Sequence, residues 1–375
     1  MYFRLNPECY FIKGMKQGAI FDMIDCKIYA LSPKETEILT SCEKNKIIDK
    51  EDDFLKELRS RTLGTFYQNK QYIQKLRFGS FIEKELNTPP EFYRAFLQIN
   101  DKCDKNCWFC GYNGLKRSLG CLGCNKWENK DKPLDLKKWK EIIEELYDLG
   151  CNEIFFNGGD LSINWDETME ILEYSQGKFI NTYITLHQHN LSEKIIKDLK
   201  NKTNLIIQTE DYNDIKFDNF LYLYVTKPEF LINKENIKEN VMIDFIIEDK
   251  IDLDNLAKYK KDFPQFNLQS FLNNIEYHPC LGHTLTICSN GDVLSCPMMR
   301  DSNLGNLKNK TLSNIFREKF DEINKIWKLN LDNIEKCTCC EFRYICQDCR
   351  ALEKKLTGRL DGKLLCNCRK EKGEV

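Results

Sequence analysis

In the segment NDKCDKNCWFCGYNG, residues 100–114, Cys103, Cys107 and Cys110 fall within eight positions at the spacing C-x3-C-x2-C. Three thiols this close cannot be scattered through a core. They must be presented together on one loop, and the rest of the chain has to fold around it. The chain holds 19 cysteines in 375 residues, most of them in clusters of this kind. In a reducing compartment such thiols are poor candidates for disulfides, and metal or redox chemistry is the better expectation. The odd count agrees, and structural buried cysteines would be dispersed rather than clustered.

The compartment follows from what the ends and the charges lack. The start, MYFRLNPECYFIKG, has no basic start, apolar stretch or small-residue cleavage site of a secretory signal. No apolar run approaches the roughly 18 residues of a membrane span. Lys and Arg number 56 against 58 acids, interspersed rather than blocked, which reads as a solvated surface without a nucleic-acid footprint. We expect a cytoplasmic protein with neither nucleic acid nor membrane as partner.

Three textures divide the chain. Residues 1–85 show short apolar runs (CYFIKG, AIFDM, KIYAL) that read as antiparallel strands. Ser32 and Glu35 then form a capping box with Pro33 at the first helical position, and a further helix is expected near Asp53–Arg59. This order suggests a small winged-helix-like domain, ended by a linker at LNTPPE, residues 86–91. From residue 92 to 268, strand candidates (Phe92–Ile99, Glu153–Phe156, Ile180–Leu186, Leu205–Ile207, Phe220–Val225, Met242–Ile247) alternate with helical patterns. The clearest helix runs from a cap at Asp135 through Trp139, Ile142, Ile143 and Leu146 to a stop at Gly150. Such βαβα repetition requires a parallel sheet in an α/β fold, either a partial barrel or a doubly wound sheet. Residues 269–375 are cysteine-rich with one expected helix near 312–327, and have too few apolar residues for an independent core.

A C-x3-C-x2-C loop directly after a strand resembles the radical S-adenosylmethionine (SAM) enzymes. The resemblance implies a partial (β/α)6 barrel whose three loop thiolates hold a four-iron cluster with one iron left open. That iron would chelate the amino and carboxylate groups of SAM, and an electron passed through the cluster would release a 5′-deoxyadenosyl radical. Phe109 matches the family position that lies against the adenine. FFNGGD ends the second strand with Gly158 and Gly159, where the family carries Gly-Gly-Glu to hold the SAM amino group; here Asp160 replaces the glutamate. LHQH (186–189), QTED (208–211) and IIED (246–249) end three later strands and are further candidates for SAM or substrate contacts. The plainer reading of the loop is a zinc site completed by Cys121 or Cys124 of CLGC.

The C-terminal cysteines resemble the SPASM extension of that family, which carries two auxiliary four-iron clusters. Cys280-x10-Gly291-x4-Cys296 is followed by Cys337-x2-Cys340-x5-Cys346-x2-Cys349 and by Cys366 and Cys368. The last internal gap is two residues where the family has three. Carried over, Cys280, Cys296 and Cys349, with Cys288 as a further candidate, would hold the first auxiliary cluster. Cys337, Cys340 and Cys346 would hold the second, with Cys366 or Cys368. The alternative is a pair of zinc ribbons; either metal would explain how a poorly cored region folds.

The N-terminal strands and helices resemble the leader-peptide recognition domain of enzymes that modify ribosomally made peptides. Such domains bind the leader as an added strand, here expected along an edge within Ala19–Leu31. The whole then resembles a radical SAM/SPASM maturase of a cysteine-rich precursor, supplied with electrons by a donor such as flavodoxin or ferredoxin. The implied reaction is sulfur-to-carbon thioether formation, with the substrate sulfur on the first auxiliary cluster if Cys288 does not close it. Carbon–carbon cross-linking and Cα epimerisation would use the same machinery. Sulfatase-maturing relatives fit less well, because they carry an aspartate where Pro297 stands. A zinc-scaffolded peptide-binding protein and an iron–sulfur electron carrier are the alternatives from other classes.

Overall fold

The computed structural model describes the chain apart from residues 50–51, 78–91, 111–115, 128–130, 217, 231–236, 249, 259–265 and 367–375. The linker expected at 86–91, Asp249 and Cys368 lie outside the described residues. The chain forms two compact units, each discontinuous in sequence. The first takes Met1–Lys84, Asp262–Pro279 and Leu329–Asp348; the second takes Glu85–Lys261, Cys280–Lys328 and Cys349–Val375.

In the first unit, β1 (Tyr2–Leu5), β2 (Cys9–Lys13), β3 (Gly18–Asp22) and β4 (Lys27–Leu31) precede helices α1 (Pro33–Glu43) and α2 (Asp53–Ser60) and strand β5 (Gly64–Tyr67). The order β2-β3-β4 makes an antiparallel sheet, and β1 pairs with β5. The capping box at Ser32 and Glu35 starts α1 at Pro33, and α2 follows as expected. Side chains of β3 alternate between two cores, since strand neighbours point to opposite faces. Ile20 packs with Phe3, Leu39 and Leu55. Ala19 and Phe21 pack with Phe266, Phe271, Tyr344 and Ile345. The N-terminal sheet therefore shares its core with the helix Leu268–Glu276 and the cysteine-rich loop near residue 344.

The second unit is built on one mixed sheet. Its strands are β6 (Arg94–Asn100), β7 (Lys116–Arg117), β8 (Glu153–Gly158), β9 (Asn181–His187), β10 (Asn204–Thr209), β11 (Leu221–Thr226), β12 (Val241–Ile247), β13 (Thr284–Ile287), β14 (Asp292–Leu294) and β15 (Asn303–Asn306). Helices α3 (Leu136–Asp148), α4 (Trp165–Tyr174) and α5 (Glu193–Leu199) fill the first crossovers. The side chain of Asp135 accepts the Lys138 amide at the start of α3, whose buried face is Trp139, Ile142, Ile143 and Leu146. Gly150, at φ +75°, turns the chain away after it.

Sheet order is β15-β14-β13-β6-β8-β9-β10-β11-β12-β7. The six expected strands are all present and run parallel in chain order from β6 to β12. A doubly wound sheet would reverse its order at a switch point; sequential order is that of a (β/α) barrel. Two features went unforeseen. The cysteine-rich region adds β13 parallel to β6 and then β14 and β15 antiparallel; strands of three or four residues are too short to show a period. The helix expected at 312–327 is two, Leu312–Glu318 and Phe320–Trp327, broken at Lys319 (φ −113°, ψ 15°). Phe316 and Trp327 pack against Phe92 at centroid distances of 5.0 and 5.6 Å, a tertiary contact that overrides local helical propensity.

Candidate active site

The period of two places Phe96, Phe155, Tyr183, Ile206, Leu223 and Met242 on the inner face of successive strands, with Gln98, Asn157, Thr185, Gln208 and Asp244 one step further toward their carboxyl ends. The apolar set packs against Leu119, Cys121 and Leu122. The polar set holds the backbone of the same loop. Asn157 Nδ2 donates to Cys121 O (2.9 Å), Thr185 Oγ1 to Leu122 O (2.6 Å), and Gln208 Oε1 accepts the Cys124 amide (3.0 Å). Asp244 Oδ1 accepts the Leu119 amide at 2.8 Å. The segment 117–125 is thus clamped inside the sheet by side chains from four strands.

Arg117 anchors this arrangement. Its guanidinium pairs with Asp244 at 2.5 Å, both side chains fully buried, and donates to Asn125 Oδ1 (2.8 Å) and Gln208 Oε1 (3.3 Å). It also lies 5.4 Å from the centre of the Phe109 ring. A charge this deep is tolerated because every face of it meets an acceptor or a π cloud. The sequence held no sign of it beyond QTED: in GLKRSLG, Arg117 looks like any surface cation.

The cysteine loop leaves the end of β6. Cys110 is buried, Cys103 and Cys107 half-buried. The Cys110 sulfur accepts the Lys126 amide at 3.1 Å, and Lys126 Nζ donates to Cys103 O at 2.9 Å. Burial pushes the Cys107 thiol up to about 11, with Glu210, Cys103 and Cys110 adding to the push; burial also raises Cys103. Cys103 and Cys107 thus resist ionisation unless a cation joins them, and a donor set of three thiols on one loop suits an iron–sulfur cluster. Among the described residues, no group of three or more His, Cys, Asp or Glu side chains converges on a single ion; in a cluster each thiolate binds its own iron, so the sulfurs need not meet at one point.

Gly158 and Gly159 serve a purpose that the sequence did not disclose. Gly158 sits at φ +126°, and a Cβ there would stand 2.3 Å from Asn100 O; a Cβ on Gly159 would stand 2.2 Å from Lys102 O. The amides of Gly159 and Asp160 donate to Asn100 O and Lys102 O at 2.8 and 2.7 Å, and Gly158 O accepts the Asn125 amide at 2.6 Å. The close approach is to the root of the cysteine loop, so these amides are already engaged. Asp160 is buried, with Oδ1 accepting the amide and hydroxyl of Ser162 at 2.9 and 2.6 Å.

Phe109 is buried, and its ring lies parallel to that of His187 at 6.0 Å. Burial lowers His187 to about 4, so it is neutral near pH 7. Its Nδ1 accepts the His189 amide at 3.3 Å, while its buried Nε2 has no partner among the described residues. An orphaned polar atom beside Phe109, at a strand's carboxyl end, fits a bound ligand in this place.

The C-terminal cysteines separate into two groups. In the second unit, Cys296 and Cys349 pack in one cluster with Cys121, Trp127, Leu281 and Met298, and Cys280 lies within the electrostatic reach of Cys121 and Cys296. Cys288 has other company: its sulfur accepts Arg300 Nη1 at 3.2 Å, and its charged neighbours are Arg300, Asp101 and Asp292. Cys366 is half-buried in this unit. In the first unit, Cys337 and Cys346 pack with Leu331 and Ile334, and the Cys340 amide donates to Cys337 O at 2.9 Å. The Met15 amide, from the β2–β3 turn, donates to Cys339 O at 2.9 Å.

Comparison with known families agrees with this geometry. The sequence profile of the radical SAM superfamily matches residues 97–286, half of the chain, and that of SPASM, an iron–sulfur cluster-binding domain, matches residues 280–341. The chain belongs to the radical SAM superfamily, and is an enzyme that uses SAM and iron–sulfur chemistry. Solved structures similar to it include Streptococcus suis SuiB bound to S-adenosylmethionine, with 14% identity, coverage of 93% of this chain and 96% of that one, and a TM-score of 0.46. SuiB bound to precursor peptide SuiA has 16% identity with the same coverage and score. Histidine-tagged anSMEcpe with bound AdoMet has 14% identity, covers 70% of this chain and 90% of that one, and also scores 0.46. No curated protein matches in sequence. Among the described residues no helix is long and apolar enough to cross a membrane.

Proposed function

We propose that this enzyme modifies a ribosomally made, cysteine-rich precursor peptide, forming sulfur-to-carbon thioether cross-links. The observation that carries a peptide substrate is the edge of the N-terminal sheet. On β2, Lys75 Nζ already occupies the carbonyl of Cys9 at 2.6 Å, and Tyr10 and Leu76 are joined across it. On β4, Lys27–Leu31, β3 is the pairing partner among the described residues, and Lys27 and Ala30 are exposed. The edge nominated within Ala19–Leu31 thus narrows to β4, since β3 is paired on both sides. An unpaired edge offers main-chain hydrogen bonds to an extended leader.

Cys103, Cys107 and Cys110 would hold the SAM-binding cluster, Cys280, Cys296 and Cys349 a first auxiliary cluster, and Cys337, Cys340 and Cys346 a second. With SAM bound, these clusters would supply the electron that releases a 5′-deoxyadenosyl radical for abstraction of a carbon-bound hydrogen from the peptide. The chain's own part is to place them. Phe109 and His187 wall the adenine side, Asp160 and the 158–159 turn fix the root of the cysteine loop, and the clamped 117–125 segment excludes water from the inner face.

Hydrogen exchange with and without the leader tests the docking: protection should appear at residues 27–31, and its absence there refutes strand addition at this edge. Co-expression with the precursor, read by mass spectrometry, tests the product. A loss of two hydrogens per cross-link with consumption of a cysteine thiol supports the thioether; an unchanged mass with inverted Cα centres refutes it.

A further inference from the structure

CLGC, residues 121–124, lies outside every iron–sulfur ligand set that the sequence suggests, yet polar side chains from three strands, Asn157, Thr185 and Gln208, hold its backbone. We propose that Cys121 is the fourth protein ligand of the first auxiliary cluster, beside Cys280, Cys296 and Cys349, so that the chain itself closes this cluster and leaves it no vacant iron. The inference rests on the SPASM clusters proposed above.

The packing points to it. Cys121, Cys296 and Cys349 pack in one side-chain cluster, and Leu281, the residue directly after Cys280, is a buried member of the same cluster. The Cys280 carbonyl is held by Thr284 Oγ1 at 2.9 Å. Three thiols and the root of a fourth, from four separate stretches of chain, are thus gathered in one place, and four is the number that a closed four-iron centre takes.

The backbone of Cys121 is also fixed before any metal arrives. Its carbonyl accepts Asn157 Nδ2, and the next carbonyl accepts Thr185 Oγ1; hydrogen bonds of this kind orient a ligand and raise metal affinity. Trp127 packs in the same cluster and is buried, and its indole N–H has no partner among the described residues. A thiolate- and sulfide-rich centre takes such a donor, and N–H groups near the sulfurs tune its potential.

The two ends of CLGC face different cysteine sets. The Cys124 sulfur accepts Gln208 Nε2 at 3.1 Å, and, two residues on, Lys126 donates its amide to the Cys110 sulfur and its Nζ to Cys103 O. One short segment therefore spans from the SAM-binding trio to the SPASM trio. Cys288, bonded to Arg300, is not needed to complete the set. With no vacant iron at the first auxiliary cluster, the substrate sulfur would not be a cluster ligand: the substrate thiol would give its proton to solvent, bond directly to the carbon radical, and pass the one surplus electron to an oxidised auxiliary cluster.

The test uses the full chain, reconstituted anaerobically, in a Cys103→Ala/Cys107→Ala/Cys110→Ala background that silences the SAM-binding cluster. That parent should hold about 8 irons and a dithionite-reduced EPR signal unmoved by dithiothreitol. Adding Cys121→Ala should change one cluster signal and make it shift with dithiothreitol, or cost up to about four irons; Cys121→Ser should give a third signal. Cys288→Ala should match the parent. A parent-like spectrum for Cys121→Ala and Cys121→Ser at full iron content, or a parent that itself shifts with dithiothreitol, overturns the assignment. If Cys296→Ala and Cys349→Ala leave iron and signal at parent values, there is no first auxiliary cluster, and the proposal of SPASM clusters fails together with this one.

Discussion

Replacing Gly159 by alanine gives the sharpest check on how the cysteine loop is placed. The added methyl would sit 2.2 Å from Lys102 O and 2.9 Å from two backbone carbons, Asp101 C and Lys102 C, whereas real Cβ atoms keep beyond 3.0 Å. No side chain can swing aside, because every close atom is backbone. The strand end and the loop root must part by most of an ångström, which strains the bonds from Gly159 N to Asn100 O and from Asp160 N to Lys102 O. Overpacking of this kind costs about 1–3 kcal/mol, and each weakened hydrogen bond adds up to about 1 kcal/mol. Cys103 follows Lys102 directly, so the displacement reaches the first thiolate. A misplacement of about 1 Å at a reacting centre can lower turnover about a hundredfold. The assay is 5′-deoxyadenosine formed from SAM under dithionite, with the thermal midpoint measured alongside. Gly177→Ala is the control: φ there is +75°, but nothing lies within 4 Å of the new Cβ, so it should cost about 1 kcal/mol and leave turnover unchanged. A Gly159→Ala enzyme with Tm and SAM cleavage within twofold of the parent would falsify the claim that these glycines set the loop.

Three further outcomes are expected. Cys107→Ala should abolish 5′-deoxyadenosine formation, with iron falling from about 12 to about 8 per chain if all three clusters assemble; continued cleavage removes the loop from the chemistry. Arg117→Met strands Asp244 in a fully buried place and should cost about 3–5 kcal/mol in a denaturant melt, part of which Asp244→Leu recovers; no change in the melt would mean that the pair carries no structural weight. Among thiols outside the ligand sets, exposed Cys26 should alkylate first in native protein. Cys9, Cys42 and Cys151, held by burial at about 12, should react only on unfolding; peptide mapping after iodoacetamide reads the order, and native labelling of Cys9 contradicts it.

What was legible in the linear order is what local chemistry controls. The Ser32–Glu35 box, the Asp135 cap and the Gly150 stop each act within four residues of themselves, so helices began and ended where these residues required. The six parallel strands showed as apolar runs because both faces of each are covered. The spacing of Cys103, Cys107 and Cys110 announced a metal loop, since ligands on one loop are neighbours in sequence as well as in space. The loop's surroundings were not legible in this way. Arg117, Asn157, Thr185, Gln208 and Asp244 meet around residues 119–124 because parallel strands in fixed register bring side chains from distant positions to one level.

Long-range packing also decided how the cysteines are shared out. Cys337, Cys340 and Cys346 join a unit whose sheet begins at residue 2, while Cys349, three positions on, joins the barrel. Cys121 packs with Cys296 and Cys349, residues far from it along the chain. No spacing rule records such a meeting, because loop-closure entropy grows only slowly with the length of intervening chain, and burial and strand pairing choose the partners.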